Sequence, residues 1–221
     1  MNPIHYLIET YMIPFLRFSY DNLYPNYGLA IVLLTLLVKI IFLPLTQKQF
    51  NSMKQTQKVQ PLIKKLQEEY KGHPEKLSKE MMKIWKEHKI NPLGGCLPAL
   101  IQLPFFIAIF YTIKSPQFLG LMAQPGVNPG VFSFWLSNLT KPDHFFILPI
   151  FIALSTFVSQ KMMVTDPRQA TFMMMMPVIM FFLCLKMPAG VLLYWAVSQS
   201  LSAAHQYFVM RPGQSVEVVN V

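Results

Sequence analysis

Long apolar runs, separated by proline, glycine and charged residues, dominate this chain. They occupy five stretches, at about 27–45, 93–113, 145–160, 171–185 and 189–209. The last two belong to one apolar region that is too long for a single membrane crossing. Lys186 to Gly190 divides this region, because proline and glycine end helices and a charge prefers the membrane surface. The pattern predicts an all-α integral membrane protein with five transmembrane helices.

The third and fourth stretches are short for a membrane crossing. They hold about 15–16 residues, whereas the hydrocarbon layer of a typical bilayer needs about 20 helical residues. A helix that is too short for this layer thins the bilayer around it. We therefore expect thinned lipid beside these two helices.

A polar segment, residues 47–91, separates the first two apolar stretches and has a helical pattern of its own. Its apolar residues recur at helical spacing in two stripes, which Gly72-His73-Pro74 separates. Pro74 suits the first turn of the second helix. The segment is predicted to form an αα-hairpin. The stripes consist of Val59, Leu62, Ile63, Leu66 and Tyr70, and of Leu77, Met81, Ile84, Trp85 and His88.

The first 20 residues do not resemble a signal peptide. Glu9 and Arg17 interrupt the apolar region, and no small-residue cleavage site follows it. The apolar residues instead predict an amphipathic helix that lies on the outer membrane surface, with a kink at Pro14.

Charge gives the predicted orientation. The hairpin segment holds eleven lysines and five glutamates, a net charge of +6 out of +9 for the whole chain. The positive-inside rule places this segment in the cytoplasm. The N-terminus is then outside, and the tail at 211–221 is cytoplasmic. Lys114, Lys141 and Lys186 fall on the outer side, against the rule.

The composition agrees with a membrane protein and offers no catalytic centre. Hydrophobic residues make up 53% of the chain and charged residues 13%. Cys96 and Cys184 lack the spacing of a metal site or a disulfide framework. The sequence has no nucleotide-binding, zinc-protease or serine-hydrolase motif, and no acidic residue lies in a predicted span. We expect neither enzyme activity nor a metal or cofactor.

One charge interrupts the first apolar stretch. Lys39 lies at membrane depth, where a charge is costly and usually faces a water-filled cavity or a polar partner. Two interpretations stay open. The side chain either reaches the headgroups from a point six residues before Leu45, roughly 9 Å along a helix, or it lines a hydrated groove together with Thr35, which shares its helix face.

Polar residues in the other predicted spans bear on the second interpretation. Their simplest role is to join helices through hydrogen bonds, but together with a cation they can line a wet groove. They are Gln102 in the second span, Ser155, Thr156, Ser159 and Gln160 in the third, and Ser198, Gln199, Ser200, Ser202 and Gln206 in the fifth. His205 is interpreted as a polar packing residue.

Several motifs, in their order along the chain, resemble the YidC/Oxa/Alb family of membrane protein insertases. They are Val38–Leu45, the lysine-rich hairpin, Asn91–Pro98 followed by Gln102-Leu103-Pro104, Thr156–Met163, Met176-Pro177 and Pro188–Trp195. The resemblance covers residues 20–210. It implies five helices around a hydrophilic groove that opens to the cytoplasm and to lipid and is closed outside. Such a protein inserts client membrane proteins into the bacterial plasma membrane without nucleotide hydrolysis.

The residues, taken together with this resemblance, predict a site in two parts. Family members typically carry arginine at the position of Lys39, so this chain keeps the charge but not the planar guanidinium fork. The apolar part uses methionine, whose flexible side chain adapts to varied partners but serves equally well in ordinary packing. The groove residues are Lys39, Thr35, Gln102, Ser159, Gln160, Trp195 and Gln199, and the lateral apolar exit consists of Phe105, Phe106, Ile109, Met173, Met176 and Met180.

Two other function classes stay open, a small-solute transporter or channel and a structural assembly factor. The sequence has no internal repeat, which argues against many transporter folds. The expected partners are nascent membrane proteins and lipids, and the basic hairpin suggests the Sec translocon, the ribosome or signal-recognition components. No pattern of stacking aromatics indicates sequence-specific nucleic-acid binding. The chain resembles the short bacterial members, which lack an additional N-terminal span and a large periplasmic domain.

Overall fold

Helices account for every regular element that the structure describes. The computed structural model describes residues 3–88, 97–128, 130–132, 134–163 and 167–209. In chain order the elements are α1 (Pro3–Leu7), a π-helical segment (Ile8–Met12), α2 (Ile13–Asn22), α3 (Tyr27–Ile41), α4 (Leu43–Glu69), α5 (Pro74–Glu87), α6 (Leu97–Lys114), α7 (Pro116–Met122), α8 (Ile147–Met163), α9 (Pro167–Cys184) and α10 (Ala189–Val209).

The N-terminal helix predicted from the sequence is present and packs against the bundle. Ile8, Met12 and Leu16 are buried against α3 and α6, while Tyr11 and Phe18 are exposed on other faces. The π-helical segment directly precedes Pro14, whose ring would crowd the carbonyl of the preceding turn in a regular α-helix. A widened turn thus lies next to the proline at which the sequence predicts a kink.

A sharp bend joins α3 to α4. α3 ends at Ile41, α4 begins at Leu43, and the two helices meet at 63°. Pro44 lies in the first turn of α4, the position that tolerates a missing N–H. Residues 43–45, which the sequence pattern assigned to the first apolar stretch, therefore belong to the helix that leads into the hairpin.

The αα-hairpin forms as the two apolar stripes predict. Val59 and Ile63 of α4 pack against Leu77 and Met81 of α5, in a small core separate from that of the bundle. Gly72, in the turn, has a φ of +95°, which glycine adopts without the cost that a side chain brings. The hairpin thus has its own packing and does not depend on the other helices for it.

α10 is the central helix of the bundle. It packs against α3, α6 and α8, whereas α9 packs chiefly against α8. The packing is tight at Gly190, where a Cβ atom would lie 2.5 Å from Ile113 Cδ1 and 3.2 Å from the carbonyl oxygen of Leu139. A Cβ atom at this position of α10 would require the buried side chain of Ile113 to move and would crowd the loop that precedes α8.

That loop covers the end of the bundle at which α3, α8 and α10 begin. The Asn26 side chain accepts a hydrogen bond from the Leu29 N–H, which caps α3, and donates one to the carbonyl oxygen of Val131. The N–H groups of Ala189 and Gly190 donate to the carbonyl oxygens of Lys141 and Leu139, at 2.7 and 2.8 Å. This end of the bundle is therefore closed by backbone hydrogen bonds.

Among the described helices, none is by itself both long and apolar enough to cross a membrane. Two bent pairs meet these requirements jointly, Tyr27–Ile41 with Leu43–Thr56 and Gln102–Lys114 with Pro116–Met122. α8 and α9 contain the shorter apolar segments Ile147–Gln160 and Met174–Cys184. α3, α6, α8, α9 and α10 overlap the five apolar stretches, and the number of membrane crossings stays a prediction.

The close approach at Gly190 predicts a large loss of stability on substitution. We expect Gly190→Val to lower the thermal unfolding midpoint of the detergent-solubilised protein by several degrees, because overpacking a tight site costs about 1–3 kcal/mol. Gly120→Ala in α7 is the control, since a Cβ atom there meets no atom within 4 Å. Equal midpoints for the two variants would contradict the packing described at Gly190.

Candidate functional site

α10 contacts a polar side chain on each of four other helices. The α10 residues in these contacts are Tyr194, Gln199, Ser202 and His205. They are five, three and three positions apart, so at 100° per residue they span roughly 140° of the helix circumference. One helix can in this way face several neighbours. We name these contacts the α10 polar seam: Gln102 Nε2 of α6 donates to Tyr194 Oη at 2.7 Å, Gln199 Nε2 donates to Thr156 Oγ1 of α8 at 3.4 Å, Lys39 Nζ of α3 donates to Ser202 Oγ at 2.8 Å, and His205 Nε2 lies 2.7 Å from Gln47 Oε1 of α4.

Lys39 brings the one charge to the seam. Its ammonium group donates to the hydroxyl of Ser202, a neutral acceptor that leaves the charge uncompensated. In the part of the chain that the structure describes, no carboxylate lies within 4.0 Å of this ammonium group. The side chain is half-buried, and its ammonium group contacts α10.

Thr35 shares the face of Lys39 but does not join the seam. It is fully buried, and its hydroxyl donates to the carbonyl oxygen of Ile31 in the preceding turn, at 2.7 Å. The hydroxyl is thus satisfied within α3. Thr35 contributes to packing one turn away from the charge.

The polar residues of α8 lie beside the seam. Ser159 and Gln160 are half-buried, and Thr156, one turn earlier, accepts the hydrogen bond of Gln199. Gln160 Oε1 and, on α10, Gln206 Nε2 are buried and have no hydrogen-bond partner among the residues described. Buried polar atoms of this kind normally bond to protein or to water.

Aromatic side chains of α6 continue the seam toward the bend between α3 and α4. The ring of Phe106 contacts the ring of Trp195 edge to face, with centroids 5.0 Å apart, and Phe105 contacts Phe42 at 4.9 Å. Ile109 is fully buried in the core. Of the three exit residues predicted on α6, two lie at the edge of the seam and one is inside the packing.

The exposed apolar surface of α9 includes residues beyond those predicted for the exit. Met176 and Met180 are half-buried, and the side chain of Met173 lies outside the described part of the structure. The methionines with the most exposed side chains in the described part of α9 are Met174 and Met175, followed along the helix by Val178, Ile179, Phe182 and Leu183. Packing against α8 decides which face is free, and the run of methionines alone does not reveal it.

Sequence reasoning missed one polar contact altogether. Gln47 lies just beyond the first apolar stretch, where a polar residue is expected and indicates no contact. Its partner His205 is 158 residues away along the chain. Phe50 adds an edge-to-face contact with the His205 ring at 5.0 Å. Because α4 is the first helix of the hairpin, this contact connects the base of the hairpin to α10.

Comparisons with known proteins agree on one family. The sequence model of the 60Kd inner membrane protein family matches residues 18–216. Similar proteins named membrane protein insertase YidC occur in Francisella tularensis subsp. novicida (strain U112) and in subsp. holarctica (strain LVS). Each is 41% identical over 196 residues, which is 88% of this chain and 34% of the relative. The chain thus spans about a third of the length of these relatives.

A solved structure shares the arrangement of the helices. It is a crystal structure of an active YidC insertase with the first transmembrane domain resolved, and it superimposes with a TM-score of 0.71 at 26% sequence identity. The superposition covers 91% of this chain and 46% of the crystallised one. Since the family model covers most of the sequence and the fold agrees, this chain belongs to the 60Kd inner membrane protein family.

Proposed function

We propose that this chain is the core of a membrane protein insertase, with the activity for which its relatives are named. α3, α6, α8, α9 and α10 cross the bacterial plasma membrane, the hairpin lies in the cytoplasm and the N-terminus lies outside. The net charge of +6 in the hairpin segment supports this orientation. The loop that covers one end of the bundle then seals the outer side, and the polar seam lies toward the inner side.

The uncompensated charge of Lys39 is the observation that carries the proposal. Its ammonium group bonds to a hydroxyl, so a client carboxylate can replace Ser202 as partner without breaking an ion pair. A polar or acidic client segment that is halfway across the membrane would otherwise lose its hydration. Near Lys39 it gains the attraction of the ammonium group. The desolvation penalty of several kcal/mol is thereby reduced.

The other groove residues hold the polar segment of the client. Gln102, Gln199, Ser159 and Gln160 offer donors and acceptors along α6, α8 and α10, and Trp195 lies beside them as an amphipathic wall. The apolar segment of the client supplies the driving force, because its transfer into lipid gains about 25 cal/mol per Å². The mechanism needs no nucleotide.

We place the lateral exit for the apolar segment between α6 and α9. α6 packs on α10 and on the N-terminal segment, whereas α9 packs chiefly on α8, so the two helices do not form a tightly packed pair. Phe106 and Met180 are half-buried on these helices. A flexible methionine beside an aromatic ring can adapt to different client helices.

Removing the charge of Lys39 tests the electrostatic role. In liposomes that contain the pure protein and no ATP, Lys39→Ala should slow the insertion of a single-span client with an acidic translocated segment about tenfold. A hydrogen bond to a charged group is worth about 1.5–3 kcal/mol, and 1.4 kcal/mol corresponds to tenfold in rate. Insertion is measured by protease protection of the translocated segment.

Lys39→Arg should keep most of the activity, because the charge remains. Lys48→Ala is the matched control, since Lys48 is an exposed lysine on α4, nine positions along the chain. A client without acidic residues should be less affected by Lys39→Ala than the acidic client. Wild-type rates for every client in Lys39→Ala would show that the charge has no such role.

Shortening the hairpin tests its independence from the bundle. Because Val59, Ile63, Leu77 and Met81 form a core of their own, deletion of residues 61–86 should leave the bundle folded but reduce insertion. Thermal unfolding and monodispersity in detergent report the fold, and protease protection reports the activity. Loss of the folded protein would show that the hairpin is mainly structural.

Photo-crosslinking tests the lateral exit. A crosslinker at Phe106 or Met180 should capture the apolar segment of a stalled client, because these positions border the proposed path. Leu33 on α3 is the comparison position, half-buried to a similar degree. Equal capture at all three positions would indicate non-specific contact through lipid.

A further inference from the structure

The loop before α8 exposes a group of aromatic side chains. Phe132, Phe134, Phe145 and Phe146 have 48%, 79%, 59% and 46% of their surface exposed. We name these four residues the outer aromatic patch. Leaving so much apolar surface in water is unfavourable, and contiguous exposed apolar patches mark contact with a partner or a membrane.

Hydrogen bonds fix the patch to the first turn of α8. Phe132 stacks on Trp135 with ring planes 3° apart, and Trp135 Nε1 donates to Asp143 Oδ1 at 3.0 Å. The other carboxylate oxygen of the buried Asp143 accepts from the Leu148 N–H at 2.8 Å. The aromatic side chains therefore keep a defined position relative to α8.

α8 is too short to match a bilayer by itself. Its apolar part, Ile147–Gln160, is about 21 Å long at 1.5 Å per residue. The hydrocarbon layer is about 30 Å thick, which leaves a shortfall of about 9 Å. Apolar side chains in the loop that precedes Ile147 would lengthen the apolar surface of α8 at its N-terminal end. They would therefore reduce this mismatch on the outer side only.

Two residues of the patch continue the exposed apolar face of α8. Phe145 and Phe146 directly precede Ile147, the first residue of that face, which runs on at helical spacing through Ile150, Phe151, Leu154 and Val158. A face of this kind meets lipid if α8 lies in the membrane. The patch then contacts the same lipid, closer to the outer membrane surface than the first residue of α8.

Two exposed side chains, the basic Lys141 and the titratable His144, lie in the same loop as the aromatic residues. A lysine beside interfacial aromatics can reach the lipid phosphates, and anionic headgroups attract it. Contact with headgroups also gives a reason for a lysine on the outer side, against the positive-inside rule.

We propose that the outer aromatic patch is inserted into the outer leaflet, where it extends the apolar surface of α8 and confines bilayer thinning to the inner leaflet. The partner is the lipid itself, at the boundary between headgroups and acyl chains. The proposal rests on the proposed membrane embedding of α8. Thinned lipid on the inner side alone would lie next to the polar seam, where clients are proposed to enter.

Spin labels at single cysteines test the position of the patch. Cys96→Ser removes a cysteine at a position that the structure does not describe, and Cys184 is buried and serves as the unlabelled background. In the full protein in liposomes, a label at Phe134→Cys should be more accessible to oxygen than to a water-soluble nickel chelate. Ser137→Cys, an exposed position in the same loop, should show the opposite preference.

A third label separates two kinds of failure. Leu154→Cys lies on the exposed face of α8 and should be shielded from the nickel chelate. If this label is shielded while that at residue 134 is not, the patch faces water or another protein and the present inference is overturned. If both are accessible to the chelate, α8 is not in the membrane and the proposed function fails with it.

Removing half of the patch tests whether it sets the depth of α8. In Phe132→Ser/Phe134→Ser, which leaves Phe145 and Phe146 in place, the hydrocarbon boundary should fall closer to Ile147, so the label at residue 154 should move a few Å toward the outer surface, since each helical residue accounts for about 1.5 Å. Gln124→Ser, at an exposed position between α7 and α8, is the control and should leave the depth unchanged. An unchanged depth in the double variant would overturn the proposal.

Discussion

The polar contacts along α10 are the interactions on which the rest of the bundle depends. A polar side chain among apolar helices is costly unless it is paired, and α10 pairs one side chain with each of α3, α4, α6 and α8. Each pairing favours a rotation of the neighbouring helix that keeps its polar side chain toward α10. Apolar packing alone would leave several rotations nearly equal in energy.

The two ends of the bundle differ for local chemical reasons. At one end Gly190 allows close approach, and backbone N–H groups of α10 bond to the loop before α8. At the other end Pro44 starts a new helix at 63° to α3, so that α4 leaves the bundle and enters the hairpin. The result is a bundle that is tied together at one end and diverges at the other, which suits a groove that opens on one side only.

The charge of Lys39 has a partner that orients it without neutralising it. A carboxylate at the position of Ser202 would hold the ammonium group in an ion pair, and any new partner of Lys39 would have to break that pair. The hydroxyl of Ser202 orients the ammonium group, and replacing it by another acceptor costs less than breaking an ion pair. The contact between Gln47 and His205 lies one turn further along α10, so the base of the hairpin and the charged position are neighbours on the same helix.

The sequence by itself predicted the helices of the five apolar stretches, the hairpin and the position of the charge, because each follows from local periodicity, from proline and glycine positions or from a single charged residue. The stripes that contain Val59 and Leu77 indicated the hairpin core correctly. Only the tertiary structure decided that Thr35 and Ile109 are buried, that Met174 and Met175 are the more exposed methionines in the described part of α9, and that His205 pairs with Gln47. Periodicity defines the faces of a helix, but which face meets which neighbour depends on contacts between residues far apart in the chain.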